Sequence, residues 1–577
     1  MRKILIILLL AFSLTAWGTK YYVDPGGVDD AGRNGTIGQE WATPAYACTR
    51  VSAPDTVFIN AGTYNQGSTQ IVKPLGVHIM GVGNDSHIVS TYTNASATQA
   101  AIQCASTVGT TTNDGGSISY IRLTGSSLTS TKGIYVGYRN NVWIHHVTVE
   151  DFLNGGIWLN VSKNYLSLYA TGNKITDCII NNSAQAGADY QGAIRISGQT
   201  NCDVLRNAID MTKRPAGNNG TSIEFQRCKK TRIDDNIMYR LDYELDAWNF
   251  FFEGWDYSGD FEYTNNSHYG LGKVSLGGEY NKMDSGCTFG ALVSDNKFLN
   301  STVGYRTVSG ESSTLYAINL EGDGHTNATI TRNYIQNYGV AIELSTPASG
   351  EGYWAHYWDW TDIVVSHNVI DGIGYMDHAY SYGIWWINET NLYPYYGVFN
   401  NVTIANNTIK AHDGATYDGY QGIGIYASDT INNMRIVNNI TYGFSSYGIY
   451  VSEHSTDTLV ISGLNATYNC MNGNGTNTVY VESAAGRITI TDSDVTTGNI
   501  TTDPLFKSST DFHLQSTSPC RDAGIDVSAI TGGTDFHGAS LYGAAYDIGA
   551  FEYGVNRMII IGTTIPTINY KIPLIDH

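Results

Sequence analysis

Charge is scarce in this chain: only 15% of its 577 residues are Asp, Glu, Lys or Arg, and acids outnumber bases 52 to 32, for a net charge of −20. No run of five or more basic residues occurs, so nothing attracts a phosphate backbone independently of sequence, and nucleic acid is not an expected partner. Scarce charge beside 42% apolar and 12% aromatic residues also excludes a disordered acidic chain, which lacks the apolar surface that offsets ordering entropy. After Leu14 no stretch reaches the ~18 uninterrupted apolar residues of a membrane span, so none is expected. Tight cysteine spacing is missing too. Cys48, Cys104, Cys178, Cys202, Cys228, Cys287, Cys470 and Cys520 are dispersed, unlike a disulfide scaffold or a zinc site. Cys202 and Cys228 recur just before similar strands, which suggests stacked core thiols rather than a bridge.

What is present begins with a leader. Arg2 and Lys3, the apolar run Ile4 to Leu14 and the small-x-small stretch Ala16-Trp17-Gly18 form a secretory signal over residues 1–18. Its removal takes the net charge from −20 to −22 and predicts a secreted, extracellular or periplasmic protein.

Two units then repeat. One sets Asn before an apolar residue after a short alternating strand, as in Arg206-Asn207-Ala208-Ile209, Asp235-Asn236-Ile237, Arg332-Asn333-Tyr334-Ile335, His367-Asn368-Val369-Ile370 and Asn438-Asn439-Ile440. The other sets a small residue before alternating apolar ones: Gly133-Ile134-Tyr135-Val136, Gly156-Ile157-Trp158-Leu159, Ala193-Ile194-Arg195-Ile196, Ala341-Ile342-Glu343-Leu344. A variable period of short Ile- and Val-rich strands, without helices in the crossovers, predicts an all-β solenoid: a right-handed, single-stranded parallel β-helix with an N-terminal cap and loop insertions. The Asn residues are expected to be structural, adopting left-handed turns and bonding amide to amide between coils.

The chain resembles the secreted parallel β-helix proteins of the pectate-lyase-like superfamily over residues 20 to 554. The resemblance is carried at the start by Tyr21-Tyr22-Val23-Asp24-Pro25, Trp41-Ala42-Thr43-Pro44 and Pro54-Asp55-Thr56-Val57-Phe58-Ile59. At the end it is carried by Asp503-Pro504-Leu505-Phe506, Asp522-Ala523-Gly524 and Asp547-Ile548-Gly549-Ala550-Phe551-Glu552. It implies a cap and first coil over 19–65, coils over 66–500, a closing segment over 501–554 and an apolar tail over 555–577 that could cover the open end of the solenoid. It also implies polysaccharide as partner and, as the leading function, a lyase cleaving a uronate-containing glycan by β-elimination, with a glycoside hydrolase or a non-catalytic glycan-binding surface protein as the alternatives. Asn141-Val142-Trp143-Ile144-His145-His146 resembles the pectate lyase strand motif with His145 in place of its Asp. Neither that family's Arg motif nor the polygalacturonase-like set follows, so the two reactions stay open.

Alternation in the second unit singles out an outward stripe: Tyr135, Trp158, Arg195, Glu224, Asn319, Glu343, Trp385, Gly424 and Tyr450, with Glu253 supplying a rung after Glu224. Aromatics at both ends suit sugar rings, and charge in the middle suits chemistry. The expected substrate-binding residues are Tyr135, Trp158, Arg227, Asn319, Glu321, Trp385 and Tyr450. Arg195, Glu224, Glu343 and Glu253 are the expected catalytic residues. Elimination needs a base and a cation to stabilise an enolate, for which Arg195, Arg227 and Lys229 are at hand. Hydrolysis needs two carboxylates, such as Glu224 and Glu253, or one across the cleft from Glu343. The aromatic, acidic stretch Leu241 to Tyr263 could also hold calcium, the candidate cofactor, although it lacks the spaced pattern of a calcium loop. Further aromatic loops run from Tyr353 to Trp360 and from Tyr393 to Tyr396.

Overall fold

Each coil of this chain lays down three short strands and then repeats. The computed structural model describes residues 18–554, apart from 95, 97, 127–129, 163, 166, 185–191, 214–219, 241–249, 256–259, 271, 279–289, 301–315, 323–324, 347–359, 375–380, 389–397, 414–420, 428–429, 454–457, 483–486 and 541–544. The expected leader and the tail after Gly554 therefore lie outside the described residues. The strands stack into three long sheets. The first has 16 strands, from Lys20–Val23 to Ile488–Thr491; the second has 14, from Gly62–Gly67 to Cys470–Asn472; the third has 14, from Ile71–Val72 to Thr476–Glu482. All pairings within these three sheets are parallel, and the fold is a right-handed parallel β-helix, as the repeat predicts.

Alternation decides what each strand buries. In Lys132–Gly137, Ile134 and Val136 join the core that runs the length of the solenoid, and the same holds for Ile194 with Ile196 and Ile342 with Leu344. At ~4.8 Å per rung, like residues sit directly over one another, so the core is a set of Ile and Val columns.

The turn from first to second sheet has two residues, as in Asp295 and Asn296 between Ala291–Ser294 and Lys297–Leu299. Its second residue is the ladder Asn. Asn368 Oδ1 accepts from both the backbone N and the Nδ2 of Asn333, each at 3.0 Å. Its own Nδ2 donates to the Ile330 carbonyl at 3.0 Å and to Asn407 Oδ1 at 2.9 Å. The same bonds run through Asn207, Asn236, Asn266, Asn296, Asn333, Asn407, Asn439 and Asn469. One part of the expectation is corrected. The left-handed residue is the one before the ladder Asn: Arg206, Asp235, Arg332, His367, Asn406 and Asn438 have φ between 53° and 56°. The ladder Asn is needed for its amide, not for its backbone. At the left-handed position stacked side chains pair instead, as in the two-pronged contact of Arg332 with Asp295 at 2.7 and 2.8 Å.

The two ends differ. At the N-terminal end the helix Pro44–Cys48, capped by the Thr43 side chain on Tyr46 N, packs with Trp41 and Val51 onto the core. Nearby, Asp114 is fully buried between Lys73 and Arg139, 2.6 Å from each. At the other end Val479, Val481, Ile488 and Ile490 occupy core columns but are only half-buried, whereas Ile449, Val451, Leu459 and Ile461 one rung earlier are sealed.

The segment 501–554 does not cover that end. It lies along the outer face of the second sheet, where Phe512, Ala550 and Phe551 pack on Leu299, Tyr334 and Val369, and Leu514, Cys520 and Ile548 pack on Ile440 and Cys470. Gly549 explains part of its motif: at φ 108° a Cβ there would lie 2.7 Å from Ile440 and 2.9 Å from Thr408, closer than packed atoms approach.

The candidate functional site on the third sheet

The outward stripe is one register row. Tyr135 pairs with Trp158, Trp158 with Arg195, Arg195 with Glu224, and Glu224 with Glu253. The row continues through Ser275, Asn319, Glu343, Trp385, Gly424, Tyr450 and Tyr480. Ser275, on Lys273–Gly278, and Tyr480 were missed from sequence. Both carry the flanks of the second unit, Val274 with Leu276 and Val479 with Val481, and were there to be read.

Connectivity frames this sheet. From Ser119 to Ile440 the turn between first and second sheets keeps its two residues. The long connections instead enter or leave the third sheet: residues 241–249 and 301–315 precede its strands, and 279–289, 347–359 and 389–397 follow them. The aromatic stretches at 353–359 and 393–396 are among these and lie outside the described residues. So do most of the acidic residues expected to take calcium. Among the described residues no group of three or more His, Cys, Asp or Glu is placed to hold a metal ion.

At the head of the row the aromatic faces are already covered. Tyr135 is 1% exposed and packs with Ala100 and Trp158, and its hydroxyl accepts from Asn160 Nδ2 at 3.0 Å. Trp158 donates from Nε1 to the Gly192 carbonyl at 3.2 Å, with Lys132 Nζ 4.7 Å and the Arg195 guanidinium carbon 5.0 Å from its ring. Tyr135 and Trp158 are thus not the open platforms the alternation suggested, because neighbouring coils bring their own side chains over them. Burial and then the Arg195 charge pull the Lys132 ammonium down to about 8.

The charged centre is an ion pair. Arg195 Nε lies 3.2 Å from Glu224 Oε1, and the Arg195 side chain is 21% exposed against 1% for Glu224. Burial raises the Glu224 carboxyl above its ordinary range, opposed by Arg195 and by the Gly192 backbone. Glu224 Oε2 is buried and accepts no hydrogen bond. Glu253 holds the next register position, and its side chain lies outside the described residues, as does that of Glu321, which pairs with Ser345. Asn319 and Glu343 are buried, Asn319 accepting from Ser345 Oγ at 3.3 Å. Glu343 is four rungs from Glu224, which at ~4.8 Å per rung is ~19 Å. Hydrolytic carboxylate pairs stand at most about 9.5 Å apart, so these two cannot form one.

Arg227 is elsewhere engaged. It sits after its strand with φ 52°, and its guanidinium donates to the carbonyls of Tyr165 at 2.6 Å, Ser162 and Leu168 at 3.3 Å, and Val161 at 3.4 Å. Its guanidinium is thus engaged by the backbone of Val161, Ser162, Tyr165 and Leu168. Lys229 likewise lies 4.5 Å over the Tyr169 ring. His146, in the turn after the first-sheet strand, stacks on Tyr120 and shares a 3.0 Å contact with His145, away from the row.

At the far end the rings stack on each other. Trp385 lies 4.8 Å from Tyr382 with planes 8° apart, Tyr450 touches Tyr426 and Tyr447, and Tyr447 stacks on Tyr480 at 4.7 Å. Tyr450 donates its hydroxyl to Glu482. Gly424 leaves room here, since a Cβ would meet Gln421 at 2.6 Å and the Tyr382 ring at 2.9 Å. Tyr480, last in the stack and 39% exposed, is the most open ring of the described row.

No helix among the described residues is long and apolar enough to cross a membrane. No family model and no curated protein matches the chain. Among solved structures, the catalytic domain of a GH87 alpha-1,3-glucanase in complex with nigerose is similar, with 12% identity, a TM-score of 0.42, and coverage of 82% of this chain and 69% of that one. A tailspike protein of E. coli bacteriophage HK620 in complex with a pentasaccharide is similar at 15% identity and TM-score 0.42, over 76% of this chain and 72% of that one. Pectate lyase Pel9A is similar at 13% identity and TM-score 0.27, over 92% and 96%. Likeness at this level assigns no activity, and the chain's own three stacked parallel sheets make it a β-helix.

Proposed function

We propose that this is a secreted polysaccharide-active β-helix that holds an extended glycan along the third sheet and cleaves it at the rungs of Arg195, Glu224 and Glu253. The observation that carries the reading is Glu224: a carboxyl sealed from water, raised by burial, with one oxygen against Arg195 and the other accepting no hydrogen bond. A carboxyl raised by burial can serve as the proton donor for a leaving glycosidic oxygen once a glycan displaces the Arg195 side chain from it. Glu253 follows one rung on, a backbone spacing of ~4.8 Å, close to the about 5 Å between the carboxylates of retaining hydrolases. This neighbouring position supports hydrolysis as the reading we favour. Arg195, the more exposed partner, lies where a substrate arrives and would orient it.

The β-elimination reading expected from the sequence keeps one supporting observation, the Arg195 cation on the row. Its charge is already opposed by Glu224, which weakens it as an enolate clamp. Incubation with a panel of polysaccharides separates the readings. New reducing ends without ultraviolet absorbance mean hydrolysis, and both signals together mean elimination. Binding with neither signal means a non-catalytic glycan-binding protein. Glu224→Gln should abolish turnover while binding stays within about tenfold, roughly 1.4 kcal/mol; full activity in that variant would remove Glu224 from the reaction.

A further inference from the structure

Seven cysteines lie among the described residues, all buried and all thiols in this structure. Five of them, Cys48, Cys104, Cys178, Cys202 and Cys228, sit inside the solenoid core. Cys178 donates to the carbonyls of Thr176 at 3.3 Å and Ile144 at 3.7 Å, and Cys228 to those of Gln226 at 3.3 Å and Ile196 at 3.7 Å. They behave as small apolar side chains with a weak donor.

Cys470 and Cys520 are placed differently. Cys470 is on the outer face of the second sheet, in register with Ile440, while its neighbour Met471 enters the core. Cys520 arrives from the segment folded over that face and shares one buried cluster with Cys470, Ile440, Leu514 and Ile548, while Cys470 Sγ donates to the Thr502 carbonyl at 3.4 Å. The backbone on the segment side is fixed: Cys520 N donates to Ser518 Oγ at 3.1 Å, Ser518 Oγ to the Pro504 carbonyl at 2.6 Å, and Ile548 N to the Cys520 carbonyl at 2.9 Å. Two sulfurs thus meet at the seam between the solenoid and a segment that, among the described residues, no ladder of the three long sheets holds in place.

We propose that Cys470 and Cys520 are joined by a disulfide in the exported protein, a covalent tie between the β-helix and the segment 501–554. The proposal rests on the leader for its oxidising compartment and is independent of the glycan reading. The Sγ–Sγ bond forms as both thiols lose their protons. The two electrons pass to an external disulfide, on a protein or a small molecule, which is reduced to two thiols. Exchange proceeds through an accessible thiolate, and both sulfurs are sealed once the segment has docked. The bond therefore forms before docking is complete, and afterwards the same packing shields it from reductants.

The test uses the full-length chain exported to an oxidising compartment, denatured in iodoacetamide without reductant, digested and mapped by mass. The expected result is one linked peptide pair carrying Cys470 and Cys520, lighter by two hydrogens than the separate thiol peptides and separated by reduction. Recovery of Cys470 and Cys520 as alkylated thiols, or of either linked to another cysteine such as Cys287, overturns the proposal. A second measurement covers the joint itself. Reductant present during thermal unfolding should lower the Tm of the native chain by several degrees and leave that of Cys520→Ser unchanged. An equal response in both chains also overturns the proposal.

Discussion

His268 is enclosed by rings. Its Nε2 faces the Tyr263 hydroxyl at 2.7 Å, its Nδ1 faces the Lys297 carbonyl at 2.9 Å, and Phe298 stacks on it at 4.2 Å. Burial pulls its imidazole down to about 3, and burial with the Arg332 charge does the same to His367. Both are neutral in the fold and chargeable in the unfolded chain. Their stabilising effect is thus complete above the ordinary histidine range and is lost as pH falls from about 6.5 toward 3, at about 1.4 kcal/mol per pH unit for each group. Urea midpoints measured from neutral pH down to about 4 should fall steeply, and more gently in His268→Gln; an unchanged slope would mean that His268 is not held neutral. Arg227 gives a second residue-scale test. Arg227→Ala strips four carbonyls of a charged donor, and at about 1.5–3 kcal/mol for a hydrogen bond to a charged group it should lower the Tm measurably. Oligosaccharide affinity should not change below that Tm, whereas a selective loss of affinity would return Arg227 to the binding surface.

At the scale of the turn, each ladder Asn satisfies two donors of the preceding coil. Asn368→Ala orphans the backbone N and the Nδ2 of Asn333, at about 1–3 kcal/mol for each unsatisfied buried group. Calorimetry should show a loss at least as large as that of a core Ile→Val change, and unaltered stability would dismiss the ladder. This element was legible in sequence because its chemistry recurs at a fixed place relative to the strands. The third-sheet row was legible for the same reason: alternation gave Tyr135, Trp158, Arg195, Glu224 and Glu343 in correct order. What alternation could not give is cover. Whether an outward ring is open depends on side chains from other coils, such as Lys132 over Trp158 and Tyr316 stacked with Trp385, and no local pattern encodes them. The carbonyl partners of Arg227 were hidden for a related reason. It lies just past its strand, at a left-handed residue where the chain turns away from the row. The rings at the far end lend themselves to a direct comparison: Tyr480→Ala should weaken binding of a long oligosaccharide more than Tyr135→Ala, because the first ring is open and the second sealed. An equal loss in titration calorimetry would contradict this.

For the whole molecule, the strongest asymmetry is between its ends. One is closed by a helix and a buried ion-pair cluster, while the other ends on half-buried Val479, Val481, Ile488 and Ile490. In a solenoid each rung touches only its neighbours, so stability is close to a sum of nearest-neighbour terms. A rung with one neighbour should then open before a rung with two. Amide exchange should be fastest in Thr476–Glu482 and Ile488–Thr491 and slow progressively toward the middle of the chain; uniform protection would indicate an end that is covered. The segment along the second sheet crosses the rungs from Leu299 to Cys470 and so splints just the stretch behind those last described rungs. Such a molecule has a direction in the way a zip fastener with a stop at one end does. Pulled from its two termini, it would first lose its outer strap and then unwind coil by coil from the end with the half-buried rungs. The last part to yield would be the cap where the chain began.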